Sequence, residues 1–399
     1  MYAAARRNEE VIKMKIKYLI AFVILIGIVL IFALRFDTIE GDYITIRGER
    51  FSVELTELHL AQWSTAQRSL FDEDIIPLRY MANLTYLRLE DFRISDLTPL
   101  SDLTNLESLH LRNNQISDLT PLADLTNLRN LGLSGNQISD LTPLADLTNL
   151  RNLGLSGNQI SDLTPLADLT NLRNLGLSSN QISGLTPLAD LTNLRVLNLN
   201  RNQISDITPL ANMVNLRELS IRYNKIVDIT ALAYLTNLTL LHLPDNQIVD
   251  IQALADLTYL RNINLTGNQI IDITPLVYLT DLQFLFLGRN QINDIAPLAY
   301  LTDMMFLNLD DNQISDIAPL AYLTILVTLN LADNQIVDIA PLAYMTDLAV
   351  LDLAYNQITD ISPLADLLFT ENNTELRLSG NPISDWSPIE HFLNVRGRP

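Results

Sequence analysis

The chain has 399 residues, a formal net charge of −20 and no cysteine. The absence of cysteine excludes disulfides, thiolate metal sites and cysteine nucleophiles. An acidic surface repels the phosphates of nucleic acids, so DNA and RNA are unfavourable partners. Apolar residues make up 48% of the chain, which is enough for a large core.

The first predicted element is an apolar segment, Tyr18 to Leu34, that contains no charged residue. A helix of this length spans roughly 26 Å, close to the hydrocarbon thickness of a bilayer. Basic residues are concentrated before the segment and acidic residues follow it. The positive-inside rule therefore places residues 1–17 in the cytoplasm and the rest of the chain outside the cell. We predict a single-pass membrane anchor over residues 18–34.

A cleaved signal peptide is the alternative interpretation of this segment, and it would make the protein secreted. The apolar run of a signal peptide is usually about 7–15 residues long and ends in small residues. The run in this chain is longer, and Phe32-Ala33-Leu34 is a poor cleavage site. These two features favour an uncleaved anchor.

Residues 35–83 are predicted to form an N-terminal cap. Residues 43–46 and 50–53 flank Gly48 and have the pattern of a β-hairpin. The stretch that follows is predicted to be an enlarged first repeat, with a strand at Leu58 and Leu60.

From Leu84 onward, one pattern recurs every 22 residues, and its clearest copies read LTNLRNLGLSGNQISDLTPLAD. Its LxL segment alternates between inward and outward positions and predicts a short strand. One copy cannot bury its own apolar face, so the copies stack and their strands form a parallel sheet. The return stretch predicts a 3₁₀ turn, for example with Thr120 as N-cap. We therefore predict an α/β repeat solenoid over residues 84–381 and a C-terminal cap over residues 382–399.

One asparagine of each copy follows the strand at a fixed place. Its side chain can bond backbone groups that are exposed where the chain leaves the strand. Without that partner, each buried backbone group would cost about 1–3 kcal/mol. We predict a structural asparagine ladder made of Asn114, Asn136, Asn158, Asn180, Asn202, Asn224, Asn246, Asn268, Asn290, Asn312, Asn334 and Asn356.

These residues resemble the 22-residue leucine-rich repeats of bacterial internalins and related surface proteins, over roughly residues 55–390. The resemblance implies a leucine-rich-repeat arc with a parallel β-sheet on its concave face, acting as an extracellular protein-binding module. We find neither an immunoglobulin-like domain after the repeats nor a wall-sorting signal. We therefore expect attachment through the N-terminal segment rather than a role in host-cell invasion.

The outward strand residues form the concave face of such an arc. In the most alike copies they are asparagine, glycine and serine, and we assign no specific site there. In the second half, Phe284 and Phe286 share one strand face, and Phe306 lies beside Phe284 at roughly 4.8 Å. An aromatic centre with an acidic rim suits a protein or peptide that carries basic residues. The predicted ligand-binding residues are Phe284, Phe286, Phe306, Asn308, Asp310, Asp333, Asp352 and Tyr355.

Two other groups of residues share a surface. We interpret the outward residues Tyr86, Arg88, His110 and Arg112 as scattered polar surface rather than as a second site. A column of tyrosines in the return stretches is predicted to stack along the opposite flank for stability. Its members are Tyr278, Tyr300, Tyr322 and Tyr344.

No catalytic residue, metal site or cofactor is predicted. His110 and His242 occupy equivalent positions on the order of 29 Å apart, too far to share a metal or a proton. A column of aspartates, such as Asp118 and Asp140, is explained by turn capping. Calcium binding stays open as an alternative, although no loop has EF-hand spacing. The chain contains no phosphate-binding glycine loop and no dinucleotide fingerprint.

The leading hypothesis is a membrane-anchored extracellular protein that binds a protein or peptide through its concave face. The first alternative is an intracellular regulatory or scaffolding subunit, since the repeats also resemble the 22-residue repeats of eukaryotic phosphatase regulators. The apolar segment over residues 18–34 argues against it. The second alternative is an acidic surface spacer, which the duplicated copies favour and the phenylalanine cluster does not.

Overall fold

The computed structural model describes residues 41–60, 70–365, 367, 375–392 and 394–398. The predicted cytoplasmic tail and membrane anchor, residues 1–34, lie outside this range. Within it, no helix combines the length and the apolar character needed to cross a membrane.

The predicted hairpin is present near the N-terminus. Strand β1 (Tyr43–Ile46) pairs antiparallel with β2 (Glu49–Ser52) around Gly48, which has a left-handed backbone with φ of 86°. Glycine suits this turn because it has no Cβ to clash in the left-handed region. Ile44 and Ile46 are buried, so the hairpin covers the first end of the core.

The remaining strands form a 16-stranded parallel sheet in which each strand pairs with the next one along the chain. Because the copies are 22 residues long, equivalent residues lie side by side, as Leu285 and Leu307 do. These central leucines point inward and are buried. The predicted solenoid with a parallel sheet is confirmed. The strands are β3 (Glu57–His59), β4 (Tyr86–Arg88), β5 (Ser108–His110), β6 (Asn130–Gly132), β7 (Asn152–Gly154), β8 (Asn174–Gly176), β9 (Val196–Asn198), β10 (Glu218–Ser220), β11 (Leu240–His242), β12 (Asn262–Asn264), β13 (Phe284–Phe286), β14 (Phe306–Asn308), β15 (Thr328–Asn330), β16 (Val350–Asp352), β17 (Glu375–Arg377) and β18 (Val395–Arg396).

Short 3₁₀ helices connect the strands, as predicted, and one α-helical turn, α1 (Asp72–Ile75), precedes the first of them. Their bounds are Ile76–Tyr80, Thr98–Leu100, Thr120–Leu122, Thr142–Leu144, Thr164–Leu166, Thr186–Leu188, Thr208–Leu210, Thr230–Tyr234, Gln252–Leu254, Thr274–Tyr278, Ala296–Tyr300, Ala318–Tyr322, Ala340–Tyr344, Ser362–Leu364 and Ser387–Ile389.

An aspartate two residues before the helix accepts the first backbone N–H of most of these 3₁₀ helices. Thr120 is the first residue of its helix, and its backbone N–H donates to Oδ1 of Asp118 at 2.8 Å. The hydroxyl and the backbone N–H of Thr120 lower the pKa of Asp118. The expectation of Thr120 as N-cap is wrong, because Thr120 is the first residue of the helix and the N-cap position is occupied by Leu119.

The asparagines at the strand exits have their side chains inside the turn, bonded to backbone groups. In Asn312, Oδ1 accepts the N–H of Ile292 at 3.0 Å, and Nδ2 donates to the carbonyls of Leu287 at 3.0 Å and Leu309 at 3.1 Å. Each asparagine thus ties its own copy to the preceding one. The bond from the preceding copy's isoleucine N–H recurs at every position from Asn114 to Asn356.

The C-terminal end of the array is closed by one 3₁₀ turn and a final strand. Ser387 begins the turn, and Oδ1 of Asp385 accepts its N–H at 2.9 Å. Ile389 and Phe392 are buried over the last copy. Strand β18 extends the sheet by one more strand, which the sequence analysis did not predict.

Candidate protein-binding surface on the concave face

The three predicted phenylalanines lie on two neighbouring strands. In the parallel register of β13 and β14, Phe284 is opposite Phe306, and Phe286 is opposite Asn308. Because side chains alternate along a strand and the intervening leucines point inward, the phenylalanines point to the concave face. All three are partly buried rather than fully exposed.

Two of the three rings are in contact. The rings of Phe284 and Phe306 stack with their centroids 5.1 Å apart and their planes 17° apart. Phe286 instead lies between Asn264 and Asn308, the residues opposite it on the adjacent strands. The centre of the surface is therefore a stacked pair, with the third ring two residues further along β13.

Apolar surface continues from the stacked pair toward the start of the strands. Met305, directly before Phe306, has 37% of its surface exposed. The equivalent residue in the clearest copies is an arginine, as in Arg129. Sequence reasoning did not single out Met305, although this replacement of a charged residue by an apolar one was visible in the alignment of copies.

An unpaired acceptor lies at the other edge of the surface. Asp310 is half-buried, and no hydrogen-bond donor among the described residues reaches its Oδ1. Burial raises the pKa of Asp310. Gly288 makes room for this carboxylate, because a Cβ at that position would collide with it. Asn308 supports the segment, since its Oδ1 accepts the Asp310 N–H at 2.9 Å.

Asp333 and Tyr355 lie in successive turns where the strands end. Both adopt left-handed backbone conformations, with φ of 55° and 57°. Asp333 is exposed, and Tyr355 has 61% of its surface exposed. Asp311 is the exposed residue at the equivalent turn beside Asp310. These residues form an acidic margin with one aromatic ring at its end.

Asp352 does not contribute a free charge to this margin. Only 9% of its surface is exposed, and its Oδ1 accepts the Ala354 N–H at 3.0 Å. Its Oδ2 is 3.1 Å from Nη1 of Arg377, the residue opposite it on the next strand. Asp352 is therefore neutralised within the protein.

The N-terminal group of outward residues is more ordered than the predicted scattered surface. Tyr86 stacks on His59 with centroids 4.5 Å apart, and its ring centroid is 5.2 Å from that of His110. Arg88 forms an ion pair with Glu90 at 2.6 Å. The described residues contain no group of three or more histidine, aspartate or glutamate side chains placed to hold a metal ion.

The tyrosine column does not stack. Tyr278, Tyr300, Tyr322 and Tyr344 are each between 63% and 69% exposed. No ring contact joins any two of them. Each ring therefore faces solvent, and the stacking prediction is wrong.

The chain matches the family profile of leucine-rich repeats over more than half of its length. The matched residues are 82–124, 126–168, 170–212, 193–234, 214–255, 236–278 and 326–366. An internalin of Listeria monocytogenes, InlF, is 40% identical to it, with a TM-score of 0.73 over 74% of this chain and 88% of the internalin. The chain therefore belongs to the leucine-rich-repeat family and is an internalin-like member of it.

More distant structures share the fold. A leucine-rich-repeat protein of Leptospira interrogans is 24% identical, with a TM-score of 0.71 over 83% of this chain and 92% of that one. A plant peptide hormone receptor, RGFR1, in complex with RGF2 is 19% identical, with a TM-score of 0.70 over 90% of this chain and 67% of that one. No curated protein matches the chain. The family and the fold together point to protein binding as the class of function.

Proposed function

We propose that this protein binds a protein or peptide through the concave surface of strands β13 and β14. The observation that carries the proposal is the stacked pair of Phe284 and Phe306, which occupies positions filled by asparagine in the duplicated copies. Partly exposed aromatic side chains grouped on one face are typical of residues that contribute most to binding.

The chemistry around the pair defines the partner. Asp310 has an unpaired carboxylate oxygen, and Asp311 and Asp333 add exposed negative charge at the same edge. A lysine or arginine of the ligand would be attracted by these three carboxylates, while an apolar or aromatic side chain would cover the phenylalanine rings. We therefore propose a ligand segment that combines an aromatic or large aliphatic residue with a basic one.

The fold is suited to this role, since the plant receptor of the same fold is a peptide hormone receptor. An arc presents many parallel strands as one rigid surface, so its outward residues are held in place before the ligand arrives. Preorganisation of this kind lowers the entropic cost of binding.

We further propose that the repeats are extracellular and attached to the membrane by residues 18–34. The support is the uncharged length of this segment and the distribution of basic residues before it. Protease added to intact cells should digest the repeats and leave a small membrane-bound fragment. Full protection of the repeats would favour the intracellular alternative, and release of the intact repeats into the medium would indicate cleavage.

The binding proposal can be tested without a known ligand by selection from a random peptide display library on the full-length protein. We expect the selected peptides to combine aromatic residues with lysine or arginine. The variant with Phe284→Ala and Phe306→Ala should retain these peptides at least about tenfold less, a loss of roughly 1.4 kcal/mol or more.

The matched control for this selection carries Asn152→Ala and Asn174→Ala, at the equivalent outward positions of duplicated copies. It should retain the same peptides as the wild-type protein. Equal retention by the phenylalanine variant would show that the peptides bind elsewhere and would remove the site assignment.

A further inference from the structure

Five arginines form a row at the N-terminal ends of neighbouring strands, a place where the sequence analysis assigns no site. Each one directly precedes a strand from β6 to β10. The backbone joins them in sequence: the N–H of Arg151 donates to the carbonyl of Arg129 at 2.8 Å, and the N–H of Arg173 donates to that of Arg151 at 2.8 Å. The members of this arginine row are Arg129, Arg151, Arg173, Arg195 and Arg217.

The arginine row is an island of positive charge in a chain whose net charge is −20. Glu107 pairs with Arg129 at 3.2 Å at one end, and Glu218 lies beside the row at the other. The three central arginines, Arg151, Arg173 and Arg195, are exposed and have no ion pair with any described residue. Adjacent like charges repel one another, so this row costs stability that an anionic ligand would relieve.

The row forms one wall of an open groove with a volume of about 620 Å³. The groove is also lined by Asn130, Asn152 and Asn174, whose carboxamides hydrogen-bond to one another along it, and by Val196, Glu107 and Glu218. A carboxamide has two N–H donors and two acceptor lone pairs, so each keeps bonding capacity for a ligand hydroxyl. The strand residues beyond them are glycines, as in Gly154, and leave the neighbouring concave surface flat.

We propose that this groove binds a linear polysaccharide that carries an acidic group on every sugar unit. The arginines recur at the strand spacing of about 4.8 Å, so the row of five extends over roughly 19 Å. The length of one sugar unit in an extended polysaccharide is comparable to the spacing between neighbouring arginines. Each guanidinium can hold one carboxylate through two parallel hydrogen bonds. The carboxamides bind the sugar hydroxyls.

The groove fits other polyanions less well. Single-stranded nucleic acids bind through bases stacked on aromatic side chains, and no aromatic residue lines the groove. Acidic side chains on one face of an extended peptide repeat at about 6.7 Å, which does not match arginines at about 4.8 Å. The repetition of one cationic group with no variation favours a ligand whose own units are identical.

The test is titration calorimetry of the full-length protein with an oligogalacturonate long enough to cross all five strands. Arg173→Gln should weaken binding about two- to fivefold, the effect of losing one exposed ion pair. Replacing Arg151, Arg173 and Arg195 together by glutamine should weaken it by on the order of tenfold or more. Added salt should weaken wild-type binding more than binding to the triple variant.

Arg261→Gln is the matched control, because Arg261 occupies the same place in its copy but has Thr239 and Gln283 as neighbours in the row. It should leave the affinity unchanged. The variants should unfold at a temperature no lower than that of the wild type, since the substituted side chains are exposed and the triple variant also removes repulsion between like charges. Absence of oligogalacturonate binding, an unchanged affinity in the triple variant, or equal binding of polyglutamate or oligo(dT) would overturn the proposal.

Discussion

Strands β6–β8 and strands β13–β15 share one frame, which consists of the buried inward leucines and the asparagine bonds, but they carry different outward side chains. The central leucines are equally buried, with Leu153 at 2% and Leu307 at 1% exposure, and the asparagine bonds have matching lengths. The outward residues differ: the first region has a flat floor of glycines beside arginines, and the second has stacked phenylalanines beside aspartates. Copies with the same frame thus keep the same fold, and a change of a few outward residues gives the concave face a different chemistry.

The largest effect is expected from substitutions that test whether the two regions share the same frame. Asn136→Ala in the first region and Asn312→Ala in the second each remove an acceptor for a buried isoleucine N–H and the donor to two carbonyls. We expect each to lower the free energy of unfolding by about 2–4 kcal/mol, because several buried backbone groups lose their partner. Urea unfolding followed by circular dichroism measures both.

The controls for this pair are Gln137→Ala and Gln313→Ala, at the exposed residues that follow the two asparagines. Both should change the unfolding free energy by less than about 0.5 kcal/mol. A large effect of the asparagine substitution in only one region would show that the two halves do not share one frame.

The sequence predicts the frame well because a 22-residue period fixes which residues stack. Strand positions, the parallel register and the asparagine bonds all follow from that single repeat length. The same logic places Phe284 beside Phe306, but it also places Phe286 beside Asn308, so only one ring pair forms. The arginine row has the same period and can be read from the sequence, but repetition alone does not distinguish a binding site from plain duplication.

Other features depend on contacts that the period does not specify. Asp352 does not contribute to the acidic margin because it forms an ion pair with Arg377. Arg377 belongs to the divergent last copy, whose strand comes three residues later than the 22-residue period predicts. The unpaired oxygen of Asp310 depends on the fit between this carboxylate and Gly288. Such details follow from side-chain packing rather than from periodicity.

The next largest effect is expected from a substitution in the second region that changes the free energy of unfolding and the peptide affinity in opposite directions. Asp310→Asn removes a half-buried charge, so we expect the unfolding free energy at neutral pH to rise by on the order of 1 kcal/mol. Burial raises the pKa of Asp310, so the folded state favours the protonated form. The advantage of the variant should therefore grow as the pH rises from the ordinary pKa of an aspartate to the raised pKa of Asp310 and stay constant above that pKa.

The same Asp310→Asn variant should bind the selected basic peptides more weakly than the wild type. Asp124→Asn serves as its control, because it removes the same charge at an exposed residue outside the proposed binding surface. Thermal unfolding at several pH values and peptide affinity measure the two quantities. A variant that is less stable at neutral pH, or that binds the peptides as tightly as the wild type, would contradict the role given to Asp310.

The smallest expected effect concerns the start of the first region. Burial lowers the pKa of His110, at the end of the glycine-lined surface, below its ordinary value of 6.5. The unfolded state then binds a proton more readily than the folded state, so part of the stability should be lost as the pH falls below about 6.5. His110→Asn should reduce this loss. An unchanged pH profile between pH 5 and 7 would show that His110 is not responsible.

The central claim is that binding resides in the outward residues of β13 and β14 and not in the frame. The most direct measurement is the affinity of one selected peptide for three full-length proteins: the wild type, the variant with Phe284→Ala and Phe306→Ala, and the variant with Asn152→Ala and Asn174→Ala. We predict a loss of at least about tenfold for the phenylalanine variant and no change for the asparagine variant. Equal affinities in all three proteins, or a loss confined to the asparagine variant, would contradict the claim.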